Sequence, residues 1–167
     1  MKKNVKNLTH GGVIAALYVV LTHMQNIIIP DSASFAIQFR ISEAMCVLAF
    51  FTPSAVWGLT AGCFLFNLTF AGALPLDMLV GSLATIIATG GMYLTRKWRI
   101  KGYPLLGMLL PAVSNAVLVG WELTVYIGGG FWVNALCVAI GEAAVLLTLG
   151  TLLYYVFFRR NLQNRIF

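Results

Sequence analysis

Five carboxylates are the residues of this chain with the clearest capacity for chemistry, because the sequence around them is 60% hydrophobic and only 10% charged. They are Asp31, Glu43, Asp77, Glu122 and Glu142. A carboxylate in apolar surroundings accepts strong hydrogen bonds from N–H donors or pairs with a cation. Their presence predicts a site for a cation or for a ligand rich in hydrogen-bond donors.

Glu142 lies in the middle of an apolar run, CVAIGEAAVLL. A carboxylate at the centre of a membrane helix costs a few kcal/mol, so such a residue faces the interior of a helix bundle and has a partner there. Three roles stay open for Glu142: a structural, hydrogen-bonded glutamate, a ligand-binding group, or a group that exchanges a proton during transport.

Glu122 follows Trp121 and lies seven residues after Asn115, so Asn115 and Glu122 share one helix face. An aromatic ring beside a carboxylate suits a planar heterocycle, which stacks on the ring and donates hydrogen bonds from its edge. The alternative is a tryptophan of the membrane interface next to a solvated glutamate.

The remaining polar candidates each have a structural explanation beside a ligand-binding one. Asp77 begins a helix, where a carboxylate caps free N–H groups. Asn67 and Asn134 fit hydrogen bonds between helices as well as ligand contacts. Arg40 and Glu43, three residues apart, predict a local ion pair that shapes the outer rim of a pocket, in preference to direct ligand contact.

Charged residues and Pro/Gly breaks divide the chain into apolar segments, which would position these residues as membrane-spanning helices. Six spans of about 20 residues fit in 167 residues. The predicted spans cover residues 7–30, 38–51, 53–71, 77–95, 103–122 and 131–158. The sequence therefore predicts an all-α, six-transmembrane-helix bundle in which residues 1–167 form a single membrane-embedded substrate-binding domain.

The basic residues predict the orientation of this bundle. They cluster before the first span, between the fourth and fifth spans, and after the sixth, and Arg40 is the exception. With an even number of spans between clusters, the positive-inside rule places both termini in the cytoplasm. The carboxylates then fall in the outer half or in the membrane interior, with Asp31 in the first outer loop, so a ligand is expected to enter from outside.

Patterns for catalysis or for a metal are missing from the sequence. It contains no HExxH, P-loop or GxSxG motif. Cys46, Cys63 and Cys137 are far apart in apolar runs, which is typical of small core residues. We expect no enzyme activity, no cofactor, no metal and no nucleic-acid partner. Transport energised by ATP would need its ATPase on another chain.

Small residues are spaced four apart in the first predicted span, GGVIAALYVVLT. Gly11 pairs with Ala15, and Gly12 pairs with Ala16, a pattern that lets another helix approach closely within lipid. The approaching helix is either part of the same bundle or belongs to a separate membrane subunit.

Three blocks of this sequence resemble one family. They are GGVIAALYVVLT, IQFRISEAMCVLAFFTPSAVWGLTAGCFLFNL and LDMLVGSLATIIAT. The chain resembles the substrate-binding S-components of energy-coupling-factor (ECF) vitamin transporters, and within them the QueT family of queuosine-precursor transporters. The second block, with FRISEA before the FFTP break, is the most specific.

The resemblance implies uptake of a 7-deazaguanine across the plasma membrane of a bacterium. A transmembrane coupling subunit would contact Gly11, Gly12, Ala15 and Ala16, and two ATPases would drive transport. The N–H edge of a deazaguanine matches a carboxylate, with Glu122 and Glu142 as the best pair. Another heterocycle (riboflavin or thiamine) and a stand-alone proton-coupled transporter that uses Glu142 are the alternatives.

Overall fold

The computed structural model describes residues 2–30, 39–162 and 166. Over these ranges the chain is helical, with one isolated β-bridge between Ile100 and Tyr103. The helices are α1 (Lys2–Ile28), a 3-10 helix (Ile41–Phe50), α2 (Pro53–Thr69), α3 (Asp77–Thr95), α4 (Leu105–Tyr126) and α5 (Phe131–Arg159), which contains a π-helical turn at Leu146–Gly150. The all-α prediction is confirmed for the described part of the chain.

Four of these helices are long and apolar enough to cross a membrane: α1, α3, α4 and α5. Their outward faces carry exposed aliphatic side chains such as Leu17, Leu83, Val113 and Leu152, as lipid-facing surfaces do. The protein is therefore a multi-pass membrane helix bundle. The other two predicted spans are shorter, because α2 has 17 residues and the 3-10 helix has 10.

The 3-10 helix Ile41–Phe50, which we call the central segment, lies inside the bundle. Its residues from Ser42 to Phe50 are all buried, and it packs against α1, α2 and α3. At about 2 Å per residue it is about 20 Å long, less than the ~30 Å of bilayer hydrocarbon. The prediction of a helix over residues 38–51 in an all-α bundle is wrong in helix type, because a segment buried on all sides has no exposed polar face whose periodicity distinguishes the two types.

The central segment ends at Thr52-Pro53, as the sequence predicts. Proline cannot continue a helix interior, but it is favourable in the first turn of the next helix. Thr52 completes the junction, because its hydroxyl accepts a hydrogen bond of 3.3 Å from the backbone N–H of Ser54. A sharp change of direction between the central segment and α2 follows.

Glycines bring α1 and α2 into backbone contact. A Cβ atom on Gly58 would lie 2.6 Å from the carbonyl oxygen of Gly11, and one on Gly62 would lie 2.9 Å from the Cβ of Tyr18. The contacting residues advance together along both helices, so α1 and α2 are parallel. The central segment is antiparallel to α1. Tyr18 is hydrogen-bonded to Glu43, and Thr22, later in α1, is hydrogen-bonded to Ser42, earlier in the central segment.

The later helices form antiparallel hairpins. Asn67 near the end of α2 bonds to Asp77 at the start of α3, and Gly91 of α3 lies against Leu110 of α4. At the next contact, Gly120 of α4 lies against Ala135 of α5. The predicted range 77–95 is confirmed for α3, and the predictions for α2, α4 and α5 agree to within four residues at each end.

This packing separates charge between the two ends of the bundle. We call the end with the start of α1, the α3–α4 connection and the end of α5 the basic end. Its described cations are Lys6, Arg96, Lys97, Arg99, Lys101, Arg159 and Arg160. Asp77 and Glu122 lie toward the opposite, acidic end. Asp31, which the sequence places in an outer loop, and Arg165 lie outside the described residues.

Candidate functional site

Three carboxylates and one arginine are buried inside the bundle. Glu43, Glu122 and Glu142 are at most 1% exposed, and Arg40 is 8% exposed. They come from the central segment, α4, α5 and the residue before the central segment, so four parts of the chain contribute. Ionisable groups buried in a membrane bundle are costly and mark binding or transport sites.

Glu43 is held by α1. Its Oε1 accepts a 2.7 Å hydrogen bond from the Tyr18 hydroxyl, and its Oε2 accepts one of 3.0 Å from the Cys46 thiol. Arg40 also interacts electrostatically with Glu43, and their direct ion pair stays a prediction. Burial explains the contacts with α1, because α1 packs against Glu43 and Tyr18 supplies a neutral donor.

A row of polar side chains on α1 continues this attachment. The Thr22 and Ser42 hydroxyls are hydrogen-bonded to each other at 2.7 Å, and Gln25 bonds to the backbone on both sides of Arg40. We call Tyr18, Thr22 and Gln25 the polar ladder. Their spacing of four and three residues places them on one helix face, so the ladder fixes α1 to the central segment.

Arg40 lies among the carboxylates instead of at an exposed rim. Its guanidinium is 5.8 Å from the centre of the Phe66 ring, within cation–π range. It also interacts electrostatically with Glu43, Glu122 and Glu142. One arginine faces three carboxylates, so the interior has an excess of acceptors over cations when all three are ionised.

Glu122 and Glu142 supply this excess. Neither carboxylate has a hydrogen-bond partner meeting normal geometry within the described residues. Their polar neighbours are Asp77 beside Glu122, and Asn115 beside Glu142. Asn115 and Glu122 both face inward, as their spacing predicts. Buried acceptors without donors are unfavourable, and a ligand with several N–H groups would satisfy them.

Asp77 and Asn67 make structural contacts at the acidic end. The Asp77 carboxylate accepts a 2.7 Å hydrogen bond from the backbone N–H of Leu74, and the Asn67 amide donates 2.9 Å to the Asp77 carbonyl. Asp77 thus stabilises the turn before α3, and Asn67 joins α2 to α3. Asp77 still contributes to the site through its proximity to Glu122.

Asn134 and Trp121 lie outside the interior cluster. The Asn134 amide donates 3.0 Å hydrogen bonds to the Thr124 hydroxyl and the Gly128 carbonyl, which fastens the α4–α5 connection. Trp121 is 51% exposed on the outside of α4. Adjacent helix residues point about 100° apart, so the ring cannot share the interior position of Glu122, and the expected pairing of these two residues is not formed.

Tyr18 is the site residue that sequence reasoning missed. The signal for it was present, because Tyr18, Thr22 and Gln25 form a polar stripe on an apolar helix. Replacing Tyr18 by phenylalanine is expected to lower the free energy of unfolding by about 1.5–3 kcal/mol, the value of a hydrogen bond to a charged group. Thermal unfolding in detergent measures this loss.

Tyr155→Phe is the matched control for that variant, because Tyr155 is exposed on α5 and its hydroxyl makes no hydrogen bond within the described region. We expect it to melt like the wild type. Equal melting of Tyr18→Phe and the wild type would show that the Tyr18–Glu43 hydrogen bond contributes nothing to stability.

A groove of about 650 Å³ lies between α1 and α2 toward the basic end. It is lined by Asn4, Asn7, Leu8, Gly11, Gly12, Ala15, Pro53, Ser54, Trp57, Gly58 and Ala61. Three of the four small residues predicted to contact a coupling subunit line it. Ala16 is exposed beside the groove without lining it. Part of the small-residue pattern also serves packing, because Gly11 touches Gly58.

Metal ligands do not cluster in the described part of the chain, where no group of three or more His, Cys, Asp and Glu side chains has the geometry to hold an ion. The cysteines are unpaired, with Cys46 and Cys63 buried and Cys137 half-buried. Cys46 has a definite partner in Glu43, so its contact is structural.

Comparison with known proteins identifies relatives in sequence. The profile of the QueT transporter family matches residues 8–159. The queuosine precursor transporter QueT of Lactococcus lactis subsp. cremoris (strain MG1363) is 36% identical over 87 residues, which cover 52% of this chain and 48% of that protein. The chain thus spans about half the length of the curated relative it matches. No solved structure matches the chain significantly.

The family profile spans every helix from α1 to α5, including the central segment and all the buried carboxylates. The resemblance to the QueT family that the sequence blocks indicate is therefore confirmed over nearly the whole chain. This membrane helix bundle belongs to the QueT transporter family.

Proposed function

We propose that this protein is the substrate-binding S-component of an ECF-type importer and that it binds a queuosine precursor, a 7-deazaguanine, from outside the cell. The observation that carries the proposal is the pair Glu122 and Glu142, which are buried and make no hydrogen bond of normal geometry within the described residues. The guanidine-like N–H edge of a 7-deazaguanine donates two parallel hydrogen bonds to one carboxylate.

The second carboxylate suits the substituent of such a precursor. Aminomethyl derivatives carry a cationic amine, which is stabilised by another acidic group in a region of low dielectric constant. Asn115 beside Glu142 offers an amide that both donates and accepts. Arg40 partly balances the carboxylates while the site is empty and prevents an interior with only negative charge.

The proposal includes a topology of six transmembrane passages with both termini in the cytoplasm of a bacterium and one membrane-embedded domain over residues 1–167. The charge separation between the ends of the bundle supports it, because the positive-inside rule assigns the basic end to the cytoplasm. Glu122 and Asp77 then lie toward the outer face. A ligand arriving from outside would meet these groups first.

The groove between α1 and α2 is the proposed contact for the transmembrane coupling subunit, to which two ATPases bind on the cytoplasmic side. Gly11, Gly12 and Ala15 leave its floor free of large side chains, so a partner helix can approach closely. The groove opens toward the basic end. A coupling subunit that contacts cytoplasmic ATPases would lie at that end.

A large side chain in this groove is expected to weaken binding of the coupling subunit without affecting ligand binding. A Cβ atom on Gly12 meets no atom within 4 Å, so Gly12→Leu projects into the groove and not into the bundle. We expect recovery of the coupling subunit in co-purification to fall about fivefold or more, as a core clash of 1–3 kcal/mol implies, while ligand affinity stays within about twofold of the wild type.

Val20→Leu is the control for Gly12→Leu, because it adds bulk to an exposed position of α1 that does not line the groove. It should co-purify normally. Normal recovery of the coupling subunit with Gly12→Leu would contradict the proposed contact.

Binding calorimetry on the purified chain tests the proposed substrate. A panel of 7-deazaguanines, with riboflavin and thiamine as the competing heterocycles, should give 1:1 binding of a deazaguanine alone. Binding of riboflavin or thiamine in its place would keep the S-component class and reject the queuosine precursor. Binding of none of them would contradict the proposed site.

A stand-alone proton-coupled transporter is the second candidate, and the unpartnered Glu142 carboxylate favours it. It predicts substrate flux in liposomes that contain this chain alone and a pH gradient. The S-component predicts no flux there, and flux only after the coupling subunit, the ATPases and ATP are added.

A further inference from the structure

A second cavity, of about 530 Å³, lies at the basic end, far along α3 and α4 from the carboxylates. It is lined by Phe50, Phe51, Arg96, Lys97, Arg99 and Phe158. We call it the basic cavity. Its walls come from the end of the central segment, the α3–α4 connection and the end of α5, so three separate parts of the chain converge on it.

Half of the residues that line the basic cavity are cationic, and none of the described lining residues is acidic. The Arg96 guanidinium donates to the carbonyl of Tyr93 and lies 3.9 Å from the centre of that ring. Arg99 donates to the carbonyl of Arg96 and lies over the Phe158 ring at 5.2 Å. These contacts orient both guanidiniums without neutralising them, because carbonyls and rings carry no net charge.

The other half of the lining is aromatic. Phe50, Phe51 and Phe158 all pack against Tyr154, which is 1% exposed and whose hydroxyl has no hydrogen-bond partner within the described residues. Tyr154 also interacts electrostatically with Arg99. The cavity thus combines fixed positive charge with apolar walls that pack against Tyr154.

This combination selects a ligand with a phosphate group and an apolar portion. Guanidinium groups bind phosphate through paired hydrogen bonds, and lysine adds a point charge. The phenyl rings exclude water and suit a hydrocarbon chain. The end of a membrane bundle is where lipid headgroups meet protein, and basic pockets between helices at this level are suited to anionic headgroups.

We propose that the basic cavity binds the phosphate headgroup of an anionic phospholipid, with the start of an acyl chain against Phe51 and Phe158. Free phosphate would use the same cations, but it would leave the aromatic walls unused. This site is independent of the transported substrate. Its bound lipid would join the α3–α4 connection to the end of α5.

Native mass spectrometry on the delipidated protein tests the site with phosphatidylglycerol, phosphatidylcholine and inorganic phosphate as probes. The wild type should bind one phosphatidylglycerol at least about tenfold more tightly than phosphatidylcholine. The double variant Arg96→Gln/Arg99→Gln should lose at least about tenfold in phosphatidylglycerol affinity, the scale expected for two cations near an anionic headgroup.

Arg159→Gln/Arg160→Gln is the matched control, because it removes the same charge from the same end without touching the cavity lining. Its affinity should stay within about twofold of the wild type. An equal loss of phosphatidylglycerol affinity in both double variants would overturn the proposal, because it would indicate a general electrostatic attraction of the lipid to the basic end. Binding of inorganic phosphate as tight as that of phosphatidylglycerol would overturn the lipid assignment.

Fluorescence of Trp98 tests the lipid site with the basic cavity unchanged, so the test does not depend on whether a cavity variant folds. Trp98 is 66% exposed between Lys97 and Arg99. Brominated phosphatidylglycerol should quench its fluorescence more strongly than brominated phosphatidylcholine, with Trp98→Phe used to subtract the other tryptophans. Equal quenching by the two lipids would contradict the proposal.

Discussion

Replacing Glu142 by glutamine is expected to weaken binding of a 7-deazaguanine by about 100-fold, the loss of one or two charge-assisted hydrogen bonds. Glutamine keeps the shape and one acceptor oxygen, but it presents an N–H group to a ligand edge that also donates. Titration calorimetry on the purified variant measures the loss. Glu122→Gln, at the other unpartnered carboxylate, should also weaken binding.

The stability of the Glu142→Gln variant separates a binding role from a structural one. A buried carboxylate without a donor destabilises the ligand-free protein, so the variant should melt at the wild-type temperature or above it. A large fall in melting temperature would assign Glu142 a structural role. Thr148→Val is the control on the same helix, because the Thr148 hydroxyl bonds to carbonyls of its own helix. It should bind normally.

Gly58→Ala is expected to destabilise the bundle by about 1–3 kcal/mol, as overpacking of a core does. The added Cβ would lie 2.6 Å from the carbonyl oxygen of Gly11 and 3.1 Å from its Cα. These are backbone atoms, so no side-chain rotation relieves the clash and α1 must move away from α2. Thermal unfolding in detergent should show a clearly lower melting temperature.

Gly90→Ala makes the same chemical change where space is open, because a Cβ atom on Gly90 meets nothing within 4 Å. In a helix interior that exchange is favourable by about 0.5–1 kcal/mol, so this control should melt at or above the wild-type temperature. If both alanine variants shifted the melting temperature in the same direction, close packing of α1 on α2 would not be what stabilises the bundle.

Helix positions were predictable because charge and chain-breaking residues punctuate an apolar sequence. Asp77 begins α3, Pro53 opens α2, and the glycines at 128–130 precede α5. Each of these signals is local, so one sequence suffices to find it. For the central segment, such local signals do not predict the helix type. Its burial on all sides removes the polar face from which helix type and register are deduced.

Contacts between helices explain what the sequence could not supply at the site. The inward position of Asn115 and Glu122 follows from a spacing of seven residues on one helix. Glu43 differs, because its partner Tyr18 is 25 positions away in the chain and meets it only after α1 packs on the central segment. Spacing in the sequence indicates only the local partner, Arg40, and the contact with Tyr18 comes in addition to it.

α1 and α2 are in direct contact along their parallel faces. An added Cβ atom would lie 2.6 Å from the Gly11 carbonyl oxygen at Gly58 and 2.9 Å from the Tyr18 Cβ atom at Gly62. The central segment is attached to α1 by the polar ladder and to α2 by its junction at Thr52. A partner helix that binds in the groove would therefore rest on the same helix, α1, that holds Glu43 through Tyr18 deep in the bundle.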